Sequence, residues 1–423
     1  MTIWPKSSQE RVSRALGAHA VIGVVMGALL YIVSLSGALI VFENEIAWWE
    51  QPTAPQVATL SPEGIDAAAR AIAAADAEPT SHIVVYLPTP ELPRAIAATD
   101  NLTLNVDEAG APAQANSAPW AAFVLGLHYY LHLPSTYGFI FVGLLGAVML
   151  ALIVSGFLAH PGVFRTAFAM RRNGSARTAE TDLHNRLAVW TAPFQLTIAF
   201  TGAWIGLFSL AGALMAQLGY DGDQGVVVDT VFGWSMPADE TPAPLPDVAA
   251  AVRHLAETNP NLTPTTLIVH EPATGGQHMQ ILAEHPQRLI LGEYYNYDAA
   301  GVFQGTVGLA DGTVGQQFAM SLYPVHFGRY GGLWLRALYS VLGLALCVII
   351  ASGVNLYLIK RSQQGRDAPR LSAAWEAIVW GAPASLGLTL LASVSGTIDE
   401  PRLGIAFWIT LALMVVFAAA WPR

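Results

Sequence analysis

The stretch LGLHYYLHLP, residues 125–134, carries His128 and His132 four residues apart, directly before an apolar run long enough to cross a membrane. Two imidazoles at that spacing share one helical face, where they offer ring nitrogens that bind metals or shuttle protons. Four of the other nine histidines, His19, His160, His184 and His326, also stand at the borders of apolar runs. The remaining five, His82, His254, His270, His278 and His285, lie in polar connections and need no special role.

What positions these side chains is read from composition. The chain has 423 residues, 53% hydrophobic and 12% charged, against about 25% charged for an ordinary soluble protein. Six runs, about 15–42, 137–159, 187–217, 337–359, 374–396 and 403–421, are apolar and long enough to span roughly 30 Å of hydrocarbon as helices. The first has no small-residue cleavage site and exceeds a signal core, so it reads as a retained span. The single cysteine, Cys347, allows no intrachain disulfide and no CxxC pair. A net charge of −10 argues against nucleic acid as a partner.

Positive charge sets the orientation. Lys6, Arg11 and Arg14 precede the first run; Arg165, Arg171, Arg172, Arg177 and Arg186 fill 160–186; Lys360, Arg361, Arg366 and Arg370 follow the fourth run. All fall on one side, which is therefore cytoplasmic, with both termini. The long connections fall on the other side, and the first holds eleven acidic residues against Arg70 and Arg94. The layout is an N-terminus and first span at 1–42, an outer module at 43–120, a second span at 121–160 and an arginine-rich loop at 161–186. A third span follows at 187–217, a second outer module at 218–330, a fourth span at 331–360, a loop at 361–373 and two last helices at 374–423.

Each outer connection reads as a helix followed by strands. SPEGIDAAARAIAAA opens with a helix-start signal at Ser61-Pro62-Glu63-Gly64, and SHIVVYLPT and RAIAATDNLTLNVDEAG are β-rich. The second connection repeats the plan in LPDVAAAVRHLAETNP, TTLIVHEP, HMQILAEH and RLILGEYYNYDAAGVFQGT. Each is a small α+β module, marginal alone and expected to lean on the membrane part. The spans repeat as well. His19 precedes Ser36-Gly37 by 17 and 18 positions, and His184 precedes Thr201-Gly202 by the same. His128 stands 27 before Ser155-Gly156, and His326 stands 26 before Ser352-Gly353. The fold class is thus an α-helical integral membrane protein of six transmembrane helices, with an internal parallel repeat and two α+β outer modules. Gly37, Gly156, Gly202 and Gly353 read as small residues for helix–helix contact.

Under the repeat, His19 matches His184 at the cytoplasmic border, and His128 matches His326 at the outer border. A flat ligand on the pseudo-two-fold axis meets one equivalent imidazole from each half, the arrangement that bis-histidine ligation of b-type haem requires. Two haems follow, in layers separated by about 27 Å, the rise of 18 helical residues. Trp190, Phe194, Phe200 and Trp204 offer aromatic packing between the layers. His132 reads as a second hydrogen-bonding or substrate-contacting group, or as plain structure. Zinc competes, but no Glu separates His128 from His132, and only Glu180 and Asp182 lie near a cluster. CxxCH is absent, which excludes c-type haem.

The segments RVSRALGAHAVIGVVMGALLYIVSLSGALIVFENEI, GLHYYLHLPSTYG, SGFLAHPGVFR, DLHNRLAVWTAPFQLTIAFTGAWIG and YPVHFGRYGGLWLRALYSVLGLALCVIIASGVNLYLIKR resemble the PepSY-associated transmembrane family of iron-regulated inner-membrane proteins. The likeness runs to about residue 362, and both outer modules look like PepSY domains. The resemblance implies a bacterial inner-membrane, haem b-carrying reductase that delivers one electron to a ferric siderophore and releases Fe(II). Its donor would be a cytoplasmic protein or a membrane quinol, since no GxGxxG occurs in the arginine-rich loop. The resemblance carries haem ligation to His19, His128, His184 and His326, and adds His160 in one branch. Ala20 stands where the family often has Arg or Trp, which keeps His160–His184 open as the alternative to His19–His184. Two other classes of function stand beside the reductase: a PepSY-type periplasmic binding or regulatory protein without redox cofactor, and a transporter of siderophore or iron. Spans five and six carry no histidine and read as structural or partner-binding, in contact with membrane lipid.

Overall fold

The computed structural model describes residues 8–160, 162, 175–223, 225–227, 237–285 and 289–422. Lys6, Arg165, Arg171 and Arg172, used above for orientation, lie outside them. The chain divides into two units. One comprises the residues up to Glu43, Pro119–Ser209 and His326 onward; the other comprises Asn44–Ala118 and Leu210–Val325.

The first unit is helical. Its elements are α1 (Gln9–Ile40), α4 (Pro119–Tyr130), α5 (Ser135–Ala159), α6 (Ala176–Trp190), most of α7 (Ala192–Gly219), the end of α9 (Val314–Phe327), α10 (Gly332–Gln363), α11 (Pro369–Val394) and α12 (Glu400–Ala420). Six of these, α1, α5, α7, α10, α11 and α12 from Pro401, are long and apolar enough to cross a membrane. The third span differs from the sequence reading. The chain breaks at Thr191, between α6 and α7, because Pro193 has no N–H to give the Val189 carbonyl and its ring crowds that carbonyl. Gln195 covers the break by donating to the Ala188 carbonyl at 3.2 Å and to Thr191 Oγ1 at 2.6 Å.

Small residues bring α5 and α7 together. A Cβ on Gly143 would meet the Gly206 backbone at 2.8 Å, and one on Gly146 would meet Ala203 N at 2.8 Å. Close backbone approach of this kind is how helices gain packing energy in lipid, where hydrophobicity drives nothing. The last two helices pack on each other and tie themselves to the helices that carry the histidines. Tyr31 OH on α1 donates to Val379 O, Trp120 Nε1 on α4 donates to Thr389 Oγ1, and Trp408 Nε1 donates to Leu131 O.

The second unit holds one antiparallel sheet of eight strands: β1 (His82–Tyr86), β2 (Ala95–Thr99), β3 (Thr103–Val106), β4 (Pro112–Ala115), β5 (Thr263–His270), β6 (His278–Glu284), β7 (Glu293–Tyr297) and β8 (Phe303–Thr306), in the order β4-β3-β2-β1-β5-β6-β7-β8. The two outer segments meet where β1 pairs β5, with His82 opposite His270 and Tyr86 opposite Thr266. One core serves both. It joins Ile65, Ala68 and Ile72 of α3 (Pro62–Ala75), Val248, Ala251 and Leu255 of α8 (Val248–Thr258), and the inward strand positions Ile83, Val85, Leu267, Val269, Met279 and Ile281. Each outer module, marginal alone, therefore shares its core with the other. Within this unit Arg94 is buried and donates to the carbonyls of Ala47, Trp48 and Gln51, which closes the end of α2 (Glu43–Glu50).

The helix starts follow the signals in the sequence. Ser61 accepts from Gly64 N, and Asp247 accepts from Ala250 N. LNVDEAG and YNYDAAG also form the same turn. Asp107 Oδ1 accepts from Ala109 N and Ala111 N, with Gly110 at φ +79°. Asp298 Oδ1 accepts from Ala300 N and Val302 N, with Gly301 at φ +77°.

Candidate functional site

Four of the six singled-out histidines come together in two pairs. The rings of His19 (α1) and His184 (α6) have centroids 6.2 Å apart at an interplanar angle of 81°. Those of His128 (α4) and His326 (α9) are 6.1 Å apart at 26°. Helix α1 reaches both pairs, for it contributes His19 to the first and Gly37 to the surroundings of the second. Those two positions are 18 residues apart, about 27 Å of helix.

Each imidazole is held by a second helix. Nδ1 of His19 lies 3.0 Å from Leu152 O, Nδ1 of His184 lies 2.9 Å from Ile349 O, and Nδ1 of His128 lies 2.9 Å from Val33 O. His326 Nδ1 lies 2.8 Å from Thr201 Oγ1, the hydroxyl directly before Gly202. A carbonyl only accepts, so Nδ1 carries the proton, and Nε2 is left as the lone-pair nitrogen. Among the described residues no hydrogen bond engages these four Nε2 atoms.

For three of the four the accepting carbonyl sits four residues before a glycine, Val33 before Gly37, Leu152 before Gly156 and Ile349 before Gly353; for His326 the acceptor Thr201 directly precedes Gly202. Inside a helix that carbonyl already accepts the N–H of residue i+4. Its second lone pair is reachable from the side only where the side chain at i+4 is missing. A Cβ at Gly37 would stand 2.6 Å from His128 Cε1; at Gly353, 3.0 Å from His184 Cε1; at Gly202, 3.1 Å from His326 Cε1; and at Gly156, 3.2 Å from His19 Cε1. The four glycines read from sequence as helix-contact residues are thus imidazole seats, and small-residue contacts between helices are made by Gly143 and Gly146 with Ala203 and Gly206, and by Gly343 with Ala38. The residue before each glycine, Ser36, Ser155, Thr201 or Ser352, also donates its hydroxyl to a carbonyl of its own helix. The sequence signal for the seats was present, a Ser/Thr-Gly pair in each of four spans; the partner of each seat, 95 to 165 residues distant, was not.

The pair His19–His184 opens on a cavity that is partly open to the surroundings. Its walls are mostly apolar, with Leu30, Met149, Leu346 and Ile349 among them, and His160, Asn185 and Gln195 also line it. Apolar enclosure with a few convergent nitrogens is the usual character of a cofactor pocket. The structure puts His19, not His160, beside the His184 ring.

His132 is placed differently from the helical-face reading. α4 ends at Tyr130, and Leu131 and His132 turn left-handed at φ +55° and +56°. His132 Nε2 donates to Phe123 O at 2.9 Å, the ring stacks on Phe123 at 5.2 Å, and it fills the space over Gly404 of α12. That is a brace between α4 and the last helix. Of the aromatic residues expected between the layers, Trp190, Phe200 and Trp204 are exposed, and Phe194 packs edge-on against Tyr339 at 5.2 Å. Cys347 is buried, with Sγ toward Tyr31 O.

Six membrane-length helices that carry two histidine pairs, joined in one chain to an antiparallel sheet, define a membrane protein. The chain belongs to the PepSY-associated TM region family, which it matches over residues 16–360. A Pseudomonas aeruginosa protein, Uncharacterized protein PA4219, is 28% identical over 320 residues, or 67% of this chain and 77% of that protein.

Proposed function

We propose that the protein is a haem b-containing inner-membrane reductase that passes electrons across the membrane and reduces a ferric siderophore, releasing Fe(II). The observation that carries this reading is the spacing of the two histidine pairs. Imidazole–metal bonds of about 2 Å on opposite sides of one ion put the ring centres roughly 6 Å apart. The pairs have 6.2 and 6.1 Å. Both near-perpendicular and near-parallel rings can share one axis, so the angles of 81° and 26° are equally compatible. With each Nδ1–H spent on a carbonyl or hydroxyl, the remaining nitrogen is the one an iron takes, and the ring is locked in the tautomer that offers it.

His19 and His184 would hold one haem, and His128 and His326 the other. His160 lines the first cavity and serves as a wall group there. A haem so ligated supplies one-electron transfer without bond chemistry. The protein's own part is to fix the rings, exclude water with apolar walls and set the two pairs at different depths. Under the positive-inside reading the His19–His184 pair faces the cytoplasm, where a protein or quinol donor would meet it, and the His128–His326 pair faces the periplasm. Siderophores bind the hard Fe(III) ion far better than Fe(II), so a single electron loosens the chelate.

The test is a reduced-minus-oxidised spectrum with a pyridine haemochrome assay on purified full-length protein. Two low-spin b-type haems per chain are expected, with one lost in His128→Ala and the other in His184→Ala. Reduced protein is then mixed with ferric chelates and Fe(II) is trapped. A colourless protein from haem-replete cells overturns the reading.

A further inference from the structure

The four seats are alike in the glycine but differ in the acceptors that the ring meets. His19 Nδ1 meets Ser155 Oγ at 3.1 Å as well as Leu152 O, and His184 Nδ1 meets Ser352 Oγ at 3.2 Å as well as Ile349 O. Both serines donate their own protons to those same carbonyls, at 3.0 Å each. Their oxygens therefore accept from Nδ1–H. In the other pair His326 has the Thr201 hydroxyl, which donates to Thr197 O at 2.7 Å and so also accepts. His128 has only Val33 O. Ser36, at the corresponding place, bonds Ile32 O at 2.9 Å and Val33 O at 3.1 Å, and among the described residues it makes no bond to the ring. Among the described residues the first pair thus carries a second acceptor on both imidazoles, and the second pair has one acceptor on each ring, Val33 O on His128 and Thr201 Oγ1 on His326.

We propose that Ser155 and Ser352 are positioning residues that hold the redox potential of the His19–His184 centre below that of the His128–His326 centre. The inference rests on the haem reading above. Acceptors on Nδ1–H pull that proton outward and raise the electron density and basicity of the ring, and a more basic axial imidazole favours the oxidised iron. Two extra acceptors on one pair and none on the other order the centres. The more reducing centre is the one at the end carrying His19, the better placed of the two to hand electrons on rather than keep them. This order suits transfer from the donor side toward the side where the chelate would be reduced.

The experiment is a spectroelectrochemical titration of the full-length protein, after haem content has been measured. Wild type is expected to titrate in two one-electron components. Ser155→Ala with Ser352→Ala moves the more negative component upward and leaves the other in place. Ser155→Thr with Ser352→Thr keeps the hydroxyls and returns the wild-type curve. Thr201→Ala moves only the more positive component, and Ser36→Ala moves neither. Haem content and the melting temperature of each variant separate these shifts from loss of the site. With both haems bound, an unshifted curve in the double alanine variant, or a shift confined to the more positive component, overturns the proposal. Absence of haem from wild type overturns the function reading and this inference with it.

Discussion

Replacing Gly37 by alanine should remove the His128–His326 centre and spare the His19–His184 centre. The new methyl carbon would stand 2.6 Å from His128 Cε1, 3.0 Å from Nδ1 and 3.5 Å from Nε2. Carbon atoms rest about 3.5–4.0 Å apart, so the ring must retreat by roughly 1 Å. It cannot swing freely, because Nδ1 is tied to Val33 O at 2.9 Å, one turn before the glycine on the same helix. Retreat therefore breaks that bond, about 0.5–1.5 kcal/mol, on top of an overpacking cost of about 1–3 kcal/mol. Together these weaken ligation by roughly 2–4 kcal/mol, or about 30- to 1,000-fold. The assay is haem transfer from the purified variant to excess apomyoglobin, counted as haems kept per chain. Gly37→Ala should lose one haem quickly and keep the other. Gly156→Ala, whose methyl would come only to 3.2 Å from His19 Cε1, needs a shift of a few tenths of an ångström and should lose its haem much more slowly. Equal retention in both variants, or faster loss from Gly156→Ala, would refute the seat as the device that fixes the rings.

Other consequences are as direct. His132→Ala should keep both haems and lower the melting temperature, because it deletes the Phe123 O bond and the ring over Gly404, for about 1–2 kcal/mol; loss of a haem would return His132 to the ligands. Arg94→Met should destabilise the sheet unit by about 2–3 kcal/mol in urea, since three carbonyls lose a buried cationic donor, and Arg94→Lys should restore only part. The stability of the sheet should fall as pH drops from 6.5 toward 4. Burial first, then His278 on β6 and His82 on β1, push His270 down to about 4, against the pull of its Gln280 bond. Its unfolded form takes the proton first, near 6.5, so the stabilisation present above that pH is lost between the two values. Asp100 beside His82 and Glu271 at the strand end are the facing carboxylates. His270→Gln should flatten the melting-temperature profile over that range; an unchanged slope would place the titration elsewhere.

Much of this was legible because the signals are local. Run length and hydropathy mark the spans, since a helix in hydrocarbon needs neither amphipathicity nor a partner to show itself. Ser61-Pro62 marks a helix start because a cap is made within three residues. Three features needed long-range contacts and were hidden. The union of both outer modules depends on β1 meeting β5, and nothing in HIVVY says which strand lies beside it. The i, i+4 reading of His128 and His132 assumed a helix that in fact stops at Tyr130, where Leu131 and His132 turn left-handed and Trp408 takes the Leu131 carbonyl. The roles of Gly37, Gly156, Gly202 and Gly353 were misassigned because glycine in a membrane helix usually signals helix contact, and only the fold shows an imidazole in the gap.

Those glycines also explain why ring geometry and helix packing are one property here. A glycine inside a helix costs about 1 kcal/mol relative to alanine, and four spans carry it where a Ser or Thr has just preceded it. The return is that His19, His128 and His184 are each oriented by a backbone carbonyl, and His326 by a hydroxyl that is itself tied to the backbone of its helix. A carbonyl in a hydrogen-bonded helix moves only with the whole helix. Hence α5 fixes His19, α1 fixes His128, α7 fixes His326 and α10 fixes His184. Since α1 both gives a ring to one pair and seats a ring of the other, a shift of α1 along its axis would disturb both pairs at once. Helices α11 and α12, which carry no histidine, hold α1 through Tyr31 and α4 through Trp120 and Trp408. These bonds tie the last two helices to α1, which seats the His128 ring, and to α4, which carries it.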